Sequence, residues 1–296
     1  MSEVLEVAET ETPRGTRALV RPFWELSKPG VTRLVLVTTG LGVAAAPEAF
    51  AWRDLLPTIF GTALVVAGAN ALNMFLERDS DRYMTRTSTR PLPSERMQPD
   101  AALLFGMVVS ILGLGLLAQF VSMLAVALAA AALLSYVLVY TPLKRVSSIA
   151  LYVGAVPGAM PPAIGYTAVT GSFDKVALSL FLVLFAWQIP HFLAITLFRH
   201  REYARAGLRV LPVERGVLHT QKATFWLSLA FLATTLVPVW LGVAGLPYLI
   251  VALVSGLGFS AFDWRGYSLA EDDETTRQRW SRALFFSSSP HLVLVM

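Results

Sequence analysis

The sequence predicts an all-α integral membrane protein, a bundle of nine transmembrane helices. Composition is the first reason: 55% of the 296 residues are hydrophobic and only 15% are charged, against roughly 25% charged in a soluble domain. The second is a series of uncharged stretches that can cross a bilayer as helices. The third is the placement of the basic residues in alternate connecting segments. These observations argue strongly against a soluble enzyme.

The predicted spans lie in the uncharged stretches 34–47, 55–76, 101–143, 146–173, 176–198, 223–262 and 283–296. A helix needs about 20 residues to cross a bilayer, so 101–143 and 223–262 each hold two spans. Their turns are expected near 119–122 and near 242–247. We expect a flexible cytoplasmic tail over 1–22 and one membrane domain over 23–296, with cytoplasmic loops that cap a central cavity.

The distribution of Lys and Arg supports this topology. With the N-terminus inside, 21 of the 24 basic residues fall in cytoplasmic segments, Arg53 and Lys175 fall outside, and Arg33 begins the first span. The net charge of +4 therefore reflects membrane orientation rather than nucleic-acid binding. The chain has no cysteine, which excludes disulfides, thiolate metal sites and a cysteine nucleophile.

Three polar residues at the end of the second span form the first candidate site. Asn73, Glu77 and Asp81 are spaced at i, i+4 and i+8, and each step of four advances only about 40° around a helix. Amide and carboxylate oxygens suit Mg²⁺, which substrate phosphates usually complete. The spacing predicts a magnesium site for a phosphate ester. The alternative is an ion-pair network with Arg78 and Arg82 at the helix end.

Basic residues accompany this acidic face. Cations beside a metal site are what a diphosphate needs, both for binding and for stabilising it as it leaves. The alternative is that they only anchor the loops on the positive side of the membrane, but this leaves the acidic face unexplained. The candidate diphosphate ligands are Lys28, Arg82, Arg86, Arg90, Lys144 and Arg145.

A second polar cluster closes the sixth span. Trp187, Gln188 and His191 lie three to four residues apart, about 10 Å from the cytoplasmic end of the span by helical rise. Glu202 lies further on, at the level of the first acidic face, and could add a carboxylate to the metal site. A buried histidine that only packs is the alternative for His191. For Tyr140 and Tyr166 an interfacial position is favoured over a cavity position.

Several segments together resemble one known family. The segment NMFLERDSDRYMTRTSTRPLP resembles the first acidic motif of the membrane-embedded prenyltransferases of the UbiA superfamily, in the Asn-x3-Glu-x3-Asp form of its heme-farnesylating branch. The resemblance extends from residue 24 to about residue 291. It implies nine transmembrane helices with the N-terminus inside. Five further segments carry it: WELSKPGVTRLV, YTPLKR, VGAVPGAMPPAIGYTAVTG, WQIPHF and AGLRVLPVERG.

The resemblance implies a reaction in which farnesyl diphosphate alkylates a vinyl group of heme b and water adds, giving heme O. Mg²⁺ would bind at the acidic face, and cations led by Arg82 and Lys144 would neutralise the leaving diphosphate. His191 would position or ligate the heme, with Trp187 stacking nearby. A bacterial cytoplasmic membrane, a cytoplasmic active site, and heme A synthase or oxidase assembly proteins as partners are also implied.

Two other functions remain open on the sequence. The same metal and diphosphate chemistry would serve transfer to an aromatic quinone precursor. The other is a transporter or an assembly subunit of a respiratory complex. A transporter would place its ionisable residues near the bilayer midplane, whereas these acids cluster at the cytoplasmic helix ends. Three positions depart from the family pattern: Glu202 stands for a usual Asp, Ala150 for Asn and Arg209 for Pro.

Overall fold

The computed structural model describes residues 16–47, 52–269 and 273–296, and every regular element in these ranges is a helix. A π-helical segment, Ser135–Tyr140, joins α5 to α6. The helices are α1 Thr16–Leu26, α2 Pro29–Ala44, α3 Trp52–Asp81, α4 Pro99–Phe120, α5 Met123–Leu134, α6 Thr141–Leu143, α7 Ala150–Thr170, α8 Lys175–Arg205, α9 Leu211–Glu214, α10 Val217–Thr235, α11 Val237–Trp240, α12 Leu246–Tyr267 and α13 Glu274–Val295.

The helices make this an integral membrane protein. Six stretches in the described ranges are long and apolar enough to cross a membrane. The helices α2, α7 and α13 stand at the three other predicted positions, although α2 has only 16 residues. Nine crossings stay a prediction. The six are Trp52–Asp81, Pro99–Phe120, Met123–Leu143, Lys175–Arg205, Val217–Trp240 and Leu246–Tyr267.

Each predicted apolar stretch coincides with one or more helices, although several helices extend beyond the ends of their stretch. The predicted turns lie between α4 and α5 and between α11 and α12. The last helix, however, begins at Glu274 rather than at 283, because its first turns carry charged residues that a search for apolar runs passes over. Of the expected tail, residues 1–15 lie outside the described residues, whereas 16–22 belong to α1.

Glycines let two pairs of helices pack with their backbones close together. A Cβ added to Gly42 of α2 would collide with the carbonyl of Pro162 in α7, and one added to Gly165 would collide with that of Thr39. Between α3 and α4, a Cβ on Gly68 would meet the hydroxyl of Ser110 and the neighbouring backbone. Small residues are the usual means of close helix approach in membranes, where water does not drive association.

The segments predicted as cytoplasmic meet at one end of the bundle. The backbone N–H of Arg209, after α8, donates to the carbonyl oxygen of Lys144, after α6, at 2.8 Å. The N–H of Ser148 donates to Glu214 Oε2 of α9 at 3.0 Å. Lys175, predicted on the other side, instead donates to a carbonyl of the loop that precedes α12. The basic loops and the start of α8 are thus at opposite ends.

Candidate active site

A cavity of about 540 Å³ lies inside the bundle, between α2, α3, the end of α5, α7, α8 and α13. Its deeper walls are largely apolar and reach Trp187, His191 and Phe285. The predicted central cavity is therefore present, with a charged end and an apolar body. The side chains of the charged end are Lys28, Asn73, Glu77, Asp81, Arg86, Arg90 and Lys144.

One face of α3 forms the acidic wall of the charged end. Asn73, Glu77 and Asp81 all line the cavity, and all three side chains are buried. Their spacing of four residues keeps them on one face through two turns, as the sequence predicts. Burial of two carboxylates and an amide is costly unless each has a partner, so the neighbouring groups decide how the site is stabilised.

Three cations from three different segments bind the three side chains of this face. Lys28, which precedes α2, donates from Nζ to Asn73 Oδ1 at 2.7 Å. Lys144 Nζ lies 2.7 Å from Glu77 Oε1. In the loop after α3, Arg90 Nη1 lies 2.6 Å from Asp81 Oδ2. Each acidic charge is therefore compensated, and the cations stand where a diphosphate beside the acidic face would meet them.

The two lysines of the site differ in their electrostatics. Burial, with repulsion from Arg90 and Lys144, lowers the pKa of Lys28 to about 7. Burial also disfavours the charge of Lys144, but attraction by Glu77 and its hydrogen bond outweigh this and raise the pKa of Lys144 well above its usual value. Lys144 thus remains a permanent cation, whereas an anionic ligand beside Lys28 would favour its protonated form.

Lys28 also has an unusual backbone. Its φ of 45° and ψ of 66° lie in the left-handed region, which residues other than glycine rarely adopt. It precedes Pro29, the first residue of α2, and its side chain reaches across to α3. Residues in such sparsely populated conformations are often found at functional sites, where the surrounding contacts hold them in place.

Of the four arginines predicted to bind the diphosphate, two line the cavity and two have other partners. Arg86 and Arg90 line the cavity. Arg82, by contrast, is half exposed and pairs with Glu95 at 3.2 Å, and Arg145 donates to a backbone carbonyl at 3.0 Å. The prediction that Arg82 and Arg145 contact the diphosphate therefore lacks support from the geometry. Arg82 follows the end of α3 and Arg145 follows the end of α6, so the path of each connecting segment, not helical spacing, determines what these side chains contact.

The alternative for the acidic face is an ion-pair network with Arg78 and Arg82 at the helix end. Arg78 donates to the carbonyl oxygen of Phe75 at 2.8 Å, and its guanidinium lies over the ring of the same residue. Neither Arg78 nor Arg82 forms an ion pair with Glu77 or Asp81 in the described part of the chain. The partners of the acidic face come from other segments, so this alternative is wrong.

The donor set fits a magnesium ion that a substrate completes. Asn73, Glu77 and Asp81 supply oxygen ligands, and Mg²⁺ in proteins is commonly held by one or two carboxylates together with substrate phosphates. Glu202 is not brought to them: its Oε1 pairs with Arg199 at 3.1 Å. Within the described ranges, no three His, Cys, Asp or Glu side chains form a metal-binding group. The expected fourth ligand is thus misplaced.

The other end of the cavity is aromatic. The rings of Trp187 and His191 stack with centroids 4.5 Å apart, and Phe285 of α13 lies 4.5 Å from the His191 ring. His191 Nδ1 is 2.7 Å from Ser288 Oγ, and Trp187 Nε1 donates to the carbonyl oxygen of Ser288 at 2.7 Å. Gln188, predicted on the same face, donates instead to backbone carbonyls and ties α8 to α7.

Comparison with known proteins now decides the family. The family model described as the UbiA prenyltransferase family matches residues 34–289. The chain belongs to the UbiA prenyltransferase family. The resemblance seen in the sequence is therefore confirmed.

Three curated relatives of this UbiA chain are named protoheme IX farnesyltransferase. That of Sorangium cellulosum (strain So ce56) is 50% identical over 254 residues, covering 85% of this chain and 87% of the relative. That of Myxococcus xanthus (strain DK1622) is 44% identical, covering 90% and 89%. That of Anaeromyxobacter dehalogenans (strain 2CP-C) is 41% identical, covering 97% and 96%.

Solved structures of similar shape support the UbiA fold. Digeranylgeranylglyceryl phosphate synthase has a TM-score of 0.77 and 19% identity, covering 93% of this chain and 96% of that one. A UbiA homologue from Archaeoglobus fulgidus bound to DMAPP and Mg²⁺ has a TM-score of 0.63 and 16% identity, covering 94% and 98%. At such identities the likeness establishes the fold alone.

Sequence reasoning missed an aromatic wall of this UbiA cavity. Tyr136 and Tyr140 stack with centroids 5.2 Å apart, both line the cavity, and Lys144 Nζ lies 4.3 Å from the Tyr140 ring centroid. The interfacial position favoured for Tyr140 is therefore wrong. Tyr136, Tyr140 and Lys144 repeat the i, i+4, i+8 spacing of the acidic face, which is the signal that could have found them.

Other residues of the wall carried little or no sequence signal. Tyr203, Ala150 and Arg209 line the cavity, although no role could be assigned to the last two from the sequence. Tyr166 is not part of it: its hydroxyl donates to Asp174 Oδ2 at 2.9 Å. The arrangement places ion-paired Lys and Arg side chains, acidic oxygens and aromatic rings around one cavity. Such a site suits the departure of an anionic group from an apolar chain.

Proposed function

We propose that this chain transfers the farnesyl group of farnesyl diphosphate to a vinyl group of heme b, with addition of water, to give heme O and diphosphate. The names of relatives 50%, 44% and 41% identical over most of the chain support the substrate. One structural observation supports the chemistry: a single cavity joins a set of paired acids and cations to an apolar body that reaches a histidine.

The charged end would bind the diphosphate. Asn73, Glu77 and Asp81 would hold Mg²⁺, which when bound neutralises the diphosphate oxygens and makes the group easier to release. Lys144 and Arg90 would interact with the phosphate oxygens as well as with their carboxylate partners. Lys28 and Arg86 would add further positive charge beside the diphosphate. Charges already fixed where negative charge grows need little rearrangement during the reaction.

The aromatic wall would face the carbon that loses the diphosphate. As the allylic C–O bond breaks, positive charge spreads over the first isoprene unit of the farnesyl group. The ring faces of Tyr136 and Tyr140, stacked at the cavity wall, can stabilise such a cation. The apolar residues of α2 and α3 would hold the rest of the tail and keep water from the cation.

The other end of the cavity would bind the heme. His191 would orient the porphyrin, and Trp187 would pack against it. The vinyl group attacks the allylic carbon, the positive charge moves to the vinyl carbon next to the porphyrin, and water adds there and loses a proton. The electrons of the vinyl double bond form the new C–C bond, so the protein forms no covalent bond to either substrate.

We propose further that the chain lies in a bacterial cytoplasmic membrane with the charged end of the cavity toward the cytoplasm. The location of 21 of 24 basic residues in the segments of that side supports the orientation. Farnesyl diphosphate would then enter from the cytoplasm. Its product would leave for a protein that takes up heme O, such as heme A synthase or an oxidase assembly protein.

The test is reconstitution with defined substrates. Purified protein in lipid is given heme b and farnesyl diphosphate, with Mg²⁺ or with a chelator, and the hemes are separated by chromatography and identified by mass. We expect heme O only with the metal present. A folded protein that binds the diphosphate but leaves heme b unchanged would contradict the proposal, and farnesylation of an aromatic quinone precursor instead would establish the alternative acceptor.

A further inference from the structure

We propose that Ser288 is a positioning residue that fixes the tautomer of His191, so that His191 Nε2 ligates the iron of the heme substrate. The inference rests on the proposed function, because it takes heme as the acceptor. The contact between the two residues joins two helices, because His191 lies on α8 and Ser288 lies 97 residues later on α13. Ser288 is fully buried.

The hydrogen bonds of Ser288 determine where the imidazole proton lies. The hydroxyl of Ser288 donates its single hydrogen to the carbonyl oxygen of Phe285 at 2.7 Å. Ser288 Oγ also lies 2.7 Å from His191 Nδ1. Since the hydroxyl proton is already used, Oγ must accept in the second contact. His191 therefore carries its proton on Nδ1, and Nε2 keeps a free lone pair.

Because Nδ1 contacts Ser288, Nε2 is the ring nitrogen left for a ligand in the cavity. His191 lines the cavity, and its Nε2 has no hydrogen-bond partner in the described part of the chain. Aromatic rings pack against the imidazole from Trp187, Phe192 and Phe285, at centroid distances of 4.5, 5.6 and 4.5 Å. The ring is thus held in one orientation, with an unprotonated nitrogen available to a ligand.

This arrangement is the usual one for a histidine that binds a metal. Such a histidine donates its other ring N–H to an acceptor, which fixes the tautomer and raises the basicity of the ligating nitrogen. Neutral imidazole is the form that binds iron. In addition, Trp187 is held by the backbone carbonyl of Ser288 and not by its side chain. Removing the hydroxyl therefore affects His191 and leaves the Trp187 contact in place.

A second buried histidine provides a comparison within the same chain. His291, also on α13, packs against the rings of Phe231 and Phe259, and neither of its ring nitrogens has a hydrogen-bond partner among the described residues. It is not among the residues that line the cavity. His291 has apolar surroundings but neither an acceptor nor an opening, so the combination seen at His191 is not a general property of histidines in this bundle.

The test is titration of ferric heme into purified protein, followed by its visible and electron paramagnetic resonance spectra. In wild type we expect a nitrogen-ligated iron, which His191→Ala removes and His291→Ala leaves. Ser288→Ala is expected to weaken heme binding about 10- to 100-fold and to alter the iron spectrum. Ser288→Thr, which keeps a hydroxyl, restores both. Ser289→Ala, the same change at the neighbouring exposed position, has no effect.

Binding of a farnesyl diphosphate analogue is measured in every variant and is expected to stay at the wild-type level. An unaltered heme spectrum and affinity in Ser288→Ala or His191→Ala would overturn the inference, and so would equal losses for heme and diphosphate. If Ser288→Ala does not fold, Ser288→Cys supplies a weaker acceptor, and an unchanged spectrum there overturns it as well. Heme O formation with no iron–His191 bond would reject the inference alone, whereas absence of heme O would reject the proposed function.

Discussion

Lys144 Nζ lies 2.7 Å from Glu77 Oε1 and joins the segment after α6 to the cavity face of α3, across 67 residues of sequence. Both side chains are largely buried, and both line the cavity. The pair therefore links these two segments in the ligand-free bundle, and we propose that it also presents a cation and an acid to the substrate. Substitutions can separate the structural role from the proposed functional one.

Removing one member of this pair is expected to destabilise the fold. Lys144→Ala leaves the Glu77 carboxylate buried without its cation, which costs about 3 kcal/mol or more. The double variant Lys144→Ala/Glu77→Ala should regain much of that stability but remain inactive in farnesyl transfer. Thermal unfolding in detergent and a transfer assay measure the two effects. Equal stability of the single and double variants would contradict the coupling.

Asp81→Asn is expected to abolish farnesyl transfer without unfolding the chain. The amide keeps the size of the side chain and can still accept from Arg90, but it lacks the charge that binds magnesium. We expect turnover to fall by about 100-fold or more at every Mg²⁺ concentration, as for loss of other preorganised charges. Turnover at the wild-type level would remove Asp81 from the metal site.

Two arginines of one loop are expected to differ. Arg86 lines the cavity, so Arg86→Ala should raise the KM for farnesyl diphosphate about tenfold, the effect of one lost charge-assisted contact. Arg82 is half exposed and pairs with Glu95, so Arg82→Ala should leave KM and turnover unchanged. Steady-state kinetics of both variants is the measurement. The reverse order of effects would show that the loop binds substrate in another arrangement.

Two glycines of α2 are expected to differ in stability. A Cβ on Gly42 would collide with the Pro162 carbonyl of α7, whereas a Cβ on Gly40 would meet no atom of the described residues within 4 Å. Gly42→Ala should therefore force α2 and α7 apart and lower stability by about 1–3 kcal/mol. Gly40→Ala serves as the matched change and should be neutral. Thermal unfolding of both variants is the check, and equal stabilities would refute the close crossing.

Helical periodicity predicted the part of the site that lies inside a helix. Asn73, Glu77 and Asp81 share a face because α3 is regular up to Asp81, so their positions follow from the spacing alone. The apolar stretches likewise predicted the positions of the long helices. Both predictions depend only on local geometry, which neighbouring segments cannot easily override in a membrane, where the backbone must satisfy its own hydrogen bonds.

The rest of the site depends on contacts between distant segments. Arg82 and Arg86 belong to one loop, and the path of that loop, which periodicity does not describe, decides which one reaches the cavity. Glu202 pairs with Arg199 three residues earlier on α8, and whether this part of α8 reaches the acidic face of α3 depends on how the two helices pack. The bond between His191 and Ser288 requires the packing of α8 on α13. No spacing in the sequence contains these relationships.

If the charged end of the cavity activates a prenyl diphosphate for transfer to heme, loss of the Asp81 charge must prevent formation of heme O. The most direct measurement is mass spectrometry of hemes from membranes of cells that lack heme O synthase activity and express this chain or its Asp81→Asn variant. We expect hydroxyethylfarnesyl heme with the wild-type chain and only heme b with equal amounts of the folded variant. Unmodified heme b with the folded wild-type chain, or heme O with the variant, would contradict it.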